Sequence, residues 1–420
     1  MSSEALVAGL DIGSSRTTAI IAEVVGELPR RPEIKVLGVG QARTTGLRRG
    51  VVADIEEATR SIRKALTDAE RMSGTRVEHL YTGISGQHME TMVSKGIVVV
   101  SGTEISAADV ERVNTVARTQ DIPQDRELLH AIPQEYTVDR QEGIRDPVGM
   151  VGTRLETEMY LVTIGSAPAA NLRRAVERAG YKVQEFVLEP LASALAVLTE
   201  EEKELGVALI ELGAGSTDVA VFHEGKIRYF GTVAYGGNSV TNDIVHGLGL
   251  AQADAERLKE RYGCAYEPMV DRAETIVLPS LVSQGERQIS RDLLAHIIHQ
   301  RMDEIMDLVL RAIEGSGYLN KLAAGVVLTG GAAALPGMVE LAADVFGTAV
   351  RIGVPRENIS GLSDAVEAPR FATAVGLARY AAHRYAIGAG VSGARRMQVG
   401  GPGMEKLIQK VKLWIQDFFE

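Results

Sequence analysis

Gly9-Leu10-Asp11-Ile12-Gly13-Ser14-Ser15-Arg16-Thr17 and Ile210-Glu211-Leu212-Gly213-Ala214-Gly215-Ser216-Thr217-Asp218 are two versions of one unit, about 200 residues apart in a chain of 420. In each, an apolar strand enters a short turn of glycine and hydroxyl residues, and another apolar strand leaves it. A polyphosphate needs backbone N–H groups turned inward, glycine where the chain must come close, hydroxyls for its oxygens, and carboxylates that hold Mg2+ through water. Both turns meet these needs. Asp11, Gly13, Ser14, Ser15 and Thr17 from the first, and Gly213, Gly215, Ser216, Thr217 and Asp218 from the second, are therefore candidate nucleotide-binding residues. Asp11 and Glu211 are the candidate metal carboxylates, acting through the water shell of the ion. Either turn alone would pass for an ordinary hairpin turn, because Asp-x-Gly is common in tight turns. Their recurrence makes an internal duplication the stronger reading.

A third element, Val326-Val327-Leu328-Thr329-Gly330-Gly331-Ala332, runs from a strand into a Gly-Gly turn and a helix start. Gly330, Gly331 and Ala332 would let a flat purine or ribose lie against bare backbone. Gly236, Gly237 and Asn238, where a second hairpin gives way to helix, are candidates for the same ligand.

Around these turns the chain reads as layered α/β. The β-branched run from Leu6 to Gln41 predicts consecutive strands in hairpins. Asp54 and Glu57 then open a helix whose apolar face runs from Ile55 to Met72 and whose end is Gly74. From about Ile84 to Val162 the sequence is more polar and predicts a small inserted α/β subdomain, with a strand at Gly96–Ser101, a Ser106-capped helix to Arg118, and a strand near Leu128–Val138. Strands at Tyr160–Gly165, Val183–Leu188 and Val207–Leu212 alternate with helices at Ala169–Ala179 and Pro190–Thr199. The stretch Asn238–Gly315 reads as mostly helical, and the body closes with the helix Arg370–Tyr385. The expected division is 1–83, 163–200 for a first lobe, 84–162 for the insert, 201–236 for a second lobe, and 237–315 for its helical subdomain; 316–385 completes the second lobe and returns to the first.

The formal net charge is −10 with a pI near 5.5, and no basic stripe is sustained, so nucleic acid is not an expected partner. Cys264 is the only cysteine, which rules out an intramolecular disulfide and makes the cytoplasm the expected compartment. No segment reaches the roughly 18 uninterrupted apolar residues of a spanning helix.

The tail is different. After a glycine-rich linker at 386–403, residues 404–420 place Met404, Leu407, Ile408, Val411, Trp414, Ile415 and Phe418 on one helical face, with Phe419 beside them. Polar residues fill the other face, with Leu413 alone misplaced. Burying six large side chains in full would be worth roughly 9–18 kcal/mol, most of it removed by partial immersion and helix ordering. The expectation is a weak single attachment to a lipid bilayer that becomes firm when copies assemble side by side. A final core helix and a helix for a partner's groove are the competing readings.

The paired phosphate turns and the Gly-Gly turn resemble the actin/Hsp70/sugar-kinase superfamily, whose duplicated halves close on ATP. On that resemblance, Glu256 and Lys259 match the superfamily's Glu-x-x-Lys pair near ribose and base. Glu189, in Leu188-Glu189-Pro190, matches the connecting segment near the γ-phosphate; it and Glu211 are the candidate catalytic carboxylates. Glu211 and Ala214 depart from the usual Asp and Gly, so binding of Mg2+ and ATP is expected and efficient hydrolysis is not. With the insert, linker and terminal helix added, the chain resembles the FtsA family of bacterial cell-division proteins over nearly its whole length. The resemblance implies an actin-like, duplicated ribonuclease-H-like two-lobed fold with an inserted small α/β subdomain and a C-terminal amphipathic helix. It also implies a peripheral protein on the cytoplasmic membrane face at the division site, which forms filaments with itself, binds the FtsZ C-terminal peptide and recruits later divisome membrane proteins. Arg291, Arg301 and Glu304 fall in the segment that matches the FtsZ-docking subdomain. A small-molecule kinase of the same superfamily and a pilus-assembly scaffold are the rival readings.

Overall fold

The computed structural model describes residues 5–29, 31–119, 122–278 and 287–388. Two sheets carry the duplication. The first has six strands in the spatial order Lys182–Leu188, His79–Ile84, Leu6–Ile12, Arg16–Glu27, Arg31–Arg43 and Ile359–Gly361. The second has five, in the order Lys226–Val233, Thr217–His223, Val207–Leu212, Val326–Thr329 and Val350–Ile352. In both, an antiparallel three-strand meander is followed by two parallel strands. The registers coincide as well: Asp11 faces Thr18 across its hairpin as Glu211 faces Asp218 across the other. Val207–Leu212 is buried throughout, and Leu6–Ile12 is buried except for the half-buried Leu6 and Asp11, because helices cover both faces of each sheet.

The helix Ile55–Ser73 begins as expected, with the Glu57 N–H donating to the Asp54 side chain at 3.0 Å, and ends at Gly74 with φ 68°. Its apolar face is core up to Ala69, but Met72 is 57% exposed; its thioether reaches only as far as the Val39 N–H, 3.4 Å away. The helices Glu189–Val197 and Ala372–Ala386 lie between the lobes and cross with backbones nearly touching. A Cβ on Gly376 would sit 1.8 Å from the Ala192 carbonyl oxygen, so only glycine permits the crossing.

The insert is a four-stranded antiparallel sheet in the order Met89–Val99, Arg154–Gly165, Arg126–Val138 and Gln141–Ile144, with the helix Ala107–Arg118 on one face. Ser106 and Asp109 form a reciprocal capping box. The first strand starts seven residues before the predicted Gly96, because its whole length pairs with Arg154–Gly165. Gly96 lies inside that strand, where the helix backbone comes too close for a side chain: an added Cβ would be 2.3 Å from the Val113 oxygen. In the second lobe, the stretch read as helical contains the helices Gly237–Leu248, Gln252–Tyr262 and Arg291–Ser316, interrupted by a two-stranded hairpin of Thr275–Leu278 and Arg287–Ser290.

The insert leaves the first lobe but is fastened to the second. The buried Lys226 ammonium donates to the Gln134 carbonyl at 2.6 Å, the Phe230 N–H donates to the Tyr160 hydroxyl at 3.0 Å, and the Arg228 guanidinium bridges Gln134 (3.3 Å) and Glu135 (3.1 Å). Arg228 is nearly buried, so Arg228→Ala leaves polar partners unsatisfied and should lower stability by about 1–3 kcal/mol in urea unfolding. A change within experimental error would show that the contact contributes nothing. Among the described residues no helix is long and apolar enough to cross a membrane. The predicted helix 404–420 and all but the first three residues of the linker lie outside the described residues.

Candidate functional site

A cleft of about 620 Å3 opens between the lobes, lined by both turns, by Gly237 and Asn238, by Glu256 and Lys259, and by Gly330 to Ala332. The two turns are built alike. The Gly13 N–H donates to the Arg16 carbonyl at 3.1 Å and the Gly213 N–H to the Ser216 carbonyl at 3.0 Å, closing each loop. They meet across the cleft, for a Cβ on Gly215 would lie 2.6 Å from the Ser14 hydroxyl. At the other end Gly330 has φ +87°, a conformation glycine adopts without strain, and the Gly331 backbone faces open space.

Ser14, Ser15 and Ser216 line the cleft, whereas Thr17 and Thr217 do not. Both threonines are fully buried beneath their turns, where the Thr17 hydroxyl pairs with Thr44 at 2.8 Å and the Thr217 hydroxyl donates to the Tyr235 carbonyl at 2.9 Å. Gly236 is also set back, packed against the Gly213 and Ala214 carbonyls. Glu256 and Lys259 are more than an exposed helical pair. The Lys259 ammonium donates to Glu256 at 2.8 Å, to the Thr241 hydroxyl at 2.8 Å and to the Gly237 carbonyl at 3.0 Å, and Thr241 in turn donates to Glu256. This network ties the helix Gln252–Tyr262 to the start of the preceding helix, Gly237–Leu248, at the cleft wall.

Four carboxyl groups, Asp11, Glu189, Glu211 and Asp218, converge on the turns in a buried environment. Burial first, and then the charge of Glu211, pushes Asp11 up to about 8. Glu189 is raised well above the usual carboxylate range by burial and then by Asp11, Glu211 and Asp218. Burial pushes Glu211 up to about 7, although hydrogen bonds from Thr373 and Ser193 oppose the rise, and Asp218 up to about 6, against a hydrogen bond from Thr232. The long Glu211 side chain is held at both oxygens: one accepts from Ser193 at 2.8 Å, the other from Thr373. Both donors lie on the crossing helices, so the helix crossing fixes this carboxylate.

Among the described residues no three His, Cys, Asp or Glu side chains converge tightly enough to ligate a metal directly. An oxygen-only set acting through water suits Mg2+, which dehydrates reluctantly, and a bound cation would relieve the mutual repulsion of the four groups. Sequence reasoning missed Ser193 and Thr373, and it missed Arg16, Arg370 and Leu335, which also line the cleft.

Arg291, Arg301 and Glu304 stand on the long helix Arg291–Ser316, and none lines the cleft. Arg291 pairs with Glu274 at 2.7 Å and donates to the Tyr262 carbonyl at 2.9 Å. Arg301 grips Asp243 with two bonds, 2.5 and 3.1 Å, stacks 5.7 Å over Tyr235, and pairs with Glu304. His296 pairs with Glu267 at 2.8 Å, and His299 Nδ1 bonds to the Ala265 carbonyl at 2.9 Å. The membrane candidates Leu407, Ile408, Val411, Trp414, Ile415, Phe418 and Phe419 are outside the described residues.

Comparison with known proteins agrees with this architecture. A family model described as "Cell division protein FtsA" matches residues 208–376, and one described as "SHS2 domain inserted in FTSA" matches residues 86–163. The chain is 39% identical over 414 residues to the cell division protein FtsA of Pseudomonas aeruginosa, covering 99% of this chain and 98% of the relative. It is 38% identical over 382 residues to that of Escherichia coli, covering 89% and 90%, and 36% identical over 383 residues to that of Bacillus subtilis, covering 91% and 84%. Among solved structures, it is similar in fold to the PilM-PilN type IV pilus biogenesis complex, with TM-score 0.62 and 20% identity over 90% of this chain and 99% of that one. It is also similar in fold to MreB5 of Spiroplasma citri bound to ADP, with TM-score 0.53 and 16% identity over 89% and 94%.

Proposed function

Because the chain belongs to the FtsA family of bacterial cell-division proteins, we propose that it is a nucleotide-bound adaptor that binds Mg2+ and ATP between its lobes and ties FtsZ to the cytoplasmic face of the membrane. The observation that carries the nucleotide reading is the cleft itself, where two equivalent turns face each other beside two buried carboxyls, Glu211 and Asp218, and two half-buried ones, Asp11 and Glu189, opposite an open Gly330-Gly331 backbone. Weak turnover fits this arrangement, since Glu211 is committed to Ser193 and Thr373 and is not free to move. In the rest of the reading, the 404–420 helix lies in the lipid surface, copies assemble side by side, the FtsZ C-terminal peptide docks on the helical subdomain near Arg291, Arg301 and Glu304, and later divisome proteins join. The likeness to the pilus-assembly structure is one of fold alone, so it lends no support to a pilus role.

Lipid binding is tested by co-sedimenting the full chain with liposomes beside a chain ending at Gly403, each with and without ATP. The full chain is expected in the pellet, more completely with ATP, and the shortened one in the supernatant. Equal partitioning of the two would remove the tail from membrane attachment.

A further inference from the structure

Six acidic side chains line the cleft, Asp11, Glu189, Glu211, Asp218, Glu256 and Glu260, against three cations, Arg16, Lys259 and Arg370. Lys259 is committed to Glu256, Thr241 and the Gly237 carbonyl. Neither Arg16 nor Arg370 forms an ion pair with any described carboxylate, although both stand in a cleft crowded with them. The Arg370 guanidinium lies over the ring of its neighbour Phe371, at 5.1 Å.

The backbone places the two arginines at different points along the cleft. Arg16 closes the first turn, its carbonyl accepting the Gly13 N–H at 3.1 Å, so it stands where the two phosphate turns meet. Arg370 stands at the junction of two other sets of contacts. The carbonyl of the preceding Pro369 accepts from the Gly330 N–H and from the Thr329 hydroxyl, each at 3.2 Å, while Thr373, three residues on, donates to Glu211. Arg370 is thus set between the Gly330-Gly331 turn, the expected nucleoside end, and the carboxylate that borders the phosphates. The group of a nucleotide that falls between its nucleoside and its terminal phosphates is the α-phosphate. A guanidinium suits that role because its planar fork donates two parallel bonds to phosphate oxygens.

Resting on the nucleotide reading above, we propose that Arg370 binds the α-phosphate of the nucleotide, and that Arg16 binds the γ-phosphate. Arg370 then contributes the same affinity to any adenosine polyphosphate, whereas Arg16 discriminates by phosphate number.

Isothermal titration of the full chain with ATP and with ADP, each with Mg2+, separates these roles. Arg370→Ala is expected to raise both dissociation constants by a similar factor, about tenfold or more, with Arg370→Lys recovering only part of the loss because the charge remains and the fork does not. Arg16→Ala is expected to weaken ATP several-fold more than ADP and so flatten the preference between them. Both side chains are exposed in the cleft, and thermal unfolding without nucleotide should match wild type for each variant. If wild type binds neither nucleotide, the cleft reading itself falls and this assignment falls with it. If wild type binds and Arg370→Ala does too, unchanged or with ATP alone weakened, only the assignment is overturned.

Discussion

Asp11→Asn is expected to weaken Mg2+-dependent nucleotide binding about 100-fold or more and, at alkaline pH, to make the empty protein more stable. The loss follows from the position of Asp11, at the mouth of the first turn and within the field of Glu211 and Glu189. Without that charge the proposed hydrated cation would lose one of its anionic anchors, and affinity for Mg2+ and ATP should fall by about 100-fold or more, roughly 2.7 kcal/mol. The gain in stability comes from the same burial. Asp11, Glu211 and Asp218 have folded values near 8, 7 and 6, all above their ordinary 3.8, 4.5 and 3.8, so the folded state holds protons that the unfolded state has released. A raised value contributes stability in full below the unfolded value, and that contribution is lost as pH climbs through the folded one. The empty wild type should therefore melt lower at pH 8.5 than at pH 5.5. Asp11→Asn should melt above wild type at pH 8.5, with the gap closing toward pH 5. Adding Mg2+ and ATP should raise the wild-type melting temperature more at pH 8.5 than at pH 6, and leave the variant where it was. A variant that binds as wild type does, with a melting difference independent of pH, would place Asp11 outside the site.

Gly376→Val should be among the most destabilising single changes in the chain. Its first added atom would lie 1.8 Å from the Ala192 oxygen and 2.3 Å from the Ala192 carbon, and both are backbone atoms that no side-chain rotation can move. The crossing helices must separate, which drags Ser193 and Thr373 away from Glu211. A loss of about 3 kcal/mol or more in chemical unfolding is expected, with nucleotide affinity falling beyond what the lost folded fraction explains. Gly315→Ala is the matching control. That glycine lies in the last turn of the helix Arg291–Ser316 with nothing within 4 Å of an added Cβ, so the change should gain about 0.5–1 kcal/mol through helix propensity. If both substitutions have the same effect, close approach is not what glycine provides at Gly376.

What could be read from sequence, and what could not, divides by the distance over which the deciding contact acts. The Asp54 cap, the Gly74 stop and the Ser106 capping box are local chemistry, and each stands where its residues predict. The duplicated turns were legible because both halves repeat the same strand, glycine and hydroxyl order. Thr17 and Thr217 show the limit of that reasoning: alternation along a strand decides which hydroxyl meets the cleft and which goes under it, and the motif does not record the phase. Ser193 and Thr373 are 180 residues apart, and their approach to Glu211 depends on a helix crossing that no local pattern encodes. Arg370 carried no signal, since an isolated arginine looks the same on any solvated surface, and Arg16, although inside the first turn, is not repeated in the second, where Ser216 stands in its place. The edge strand Ile359–Gly361, three residues long, pairs with Arg31–Arg43 and has no periodicity of its own.

The matched registers of the two hairpins give the cleft an approximate dyad, with Asp11 and Glu211 on opposite sides of it. The proposed nucleotide has no such symmetry: its base differs from its phosphate chain, so it cannot meet the dyad-related positions equally. The copies differ at Arg16 against Ser216 and at Thr18 against Asp218, so the two turns bring unlike groups to the phosphate chain proposed to lie between them.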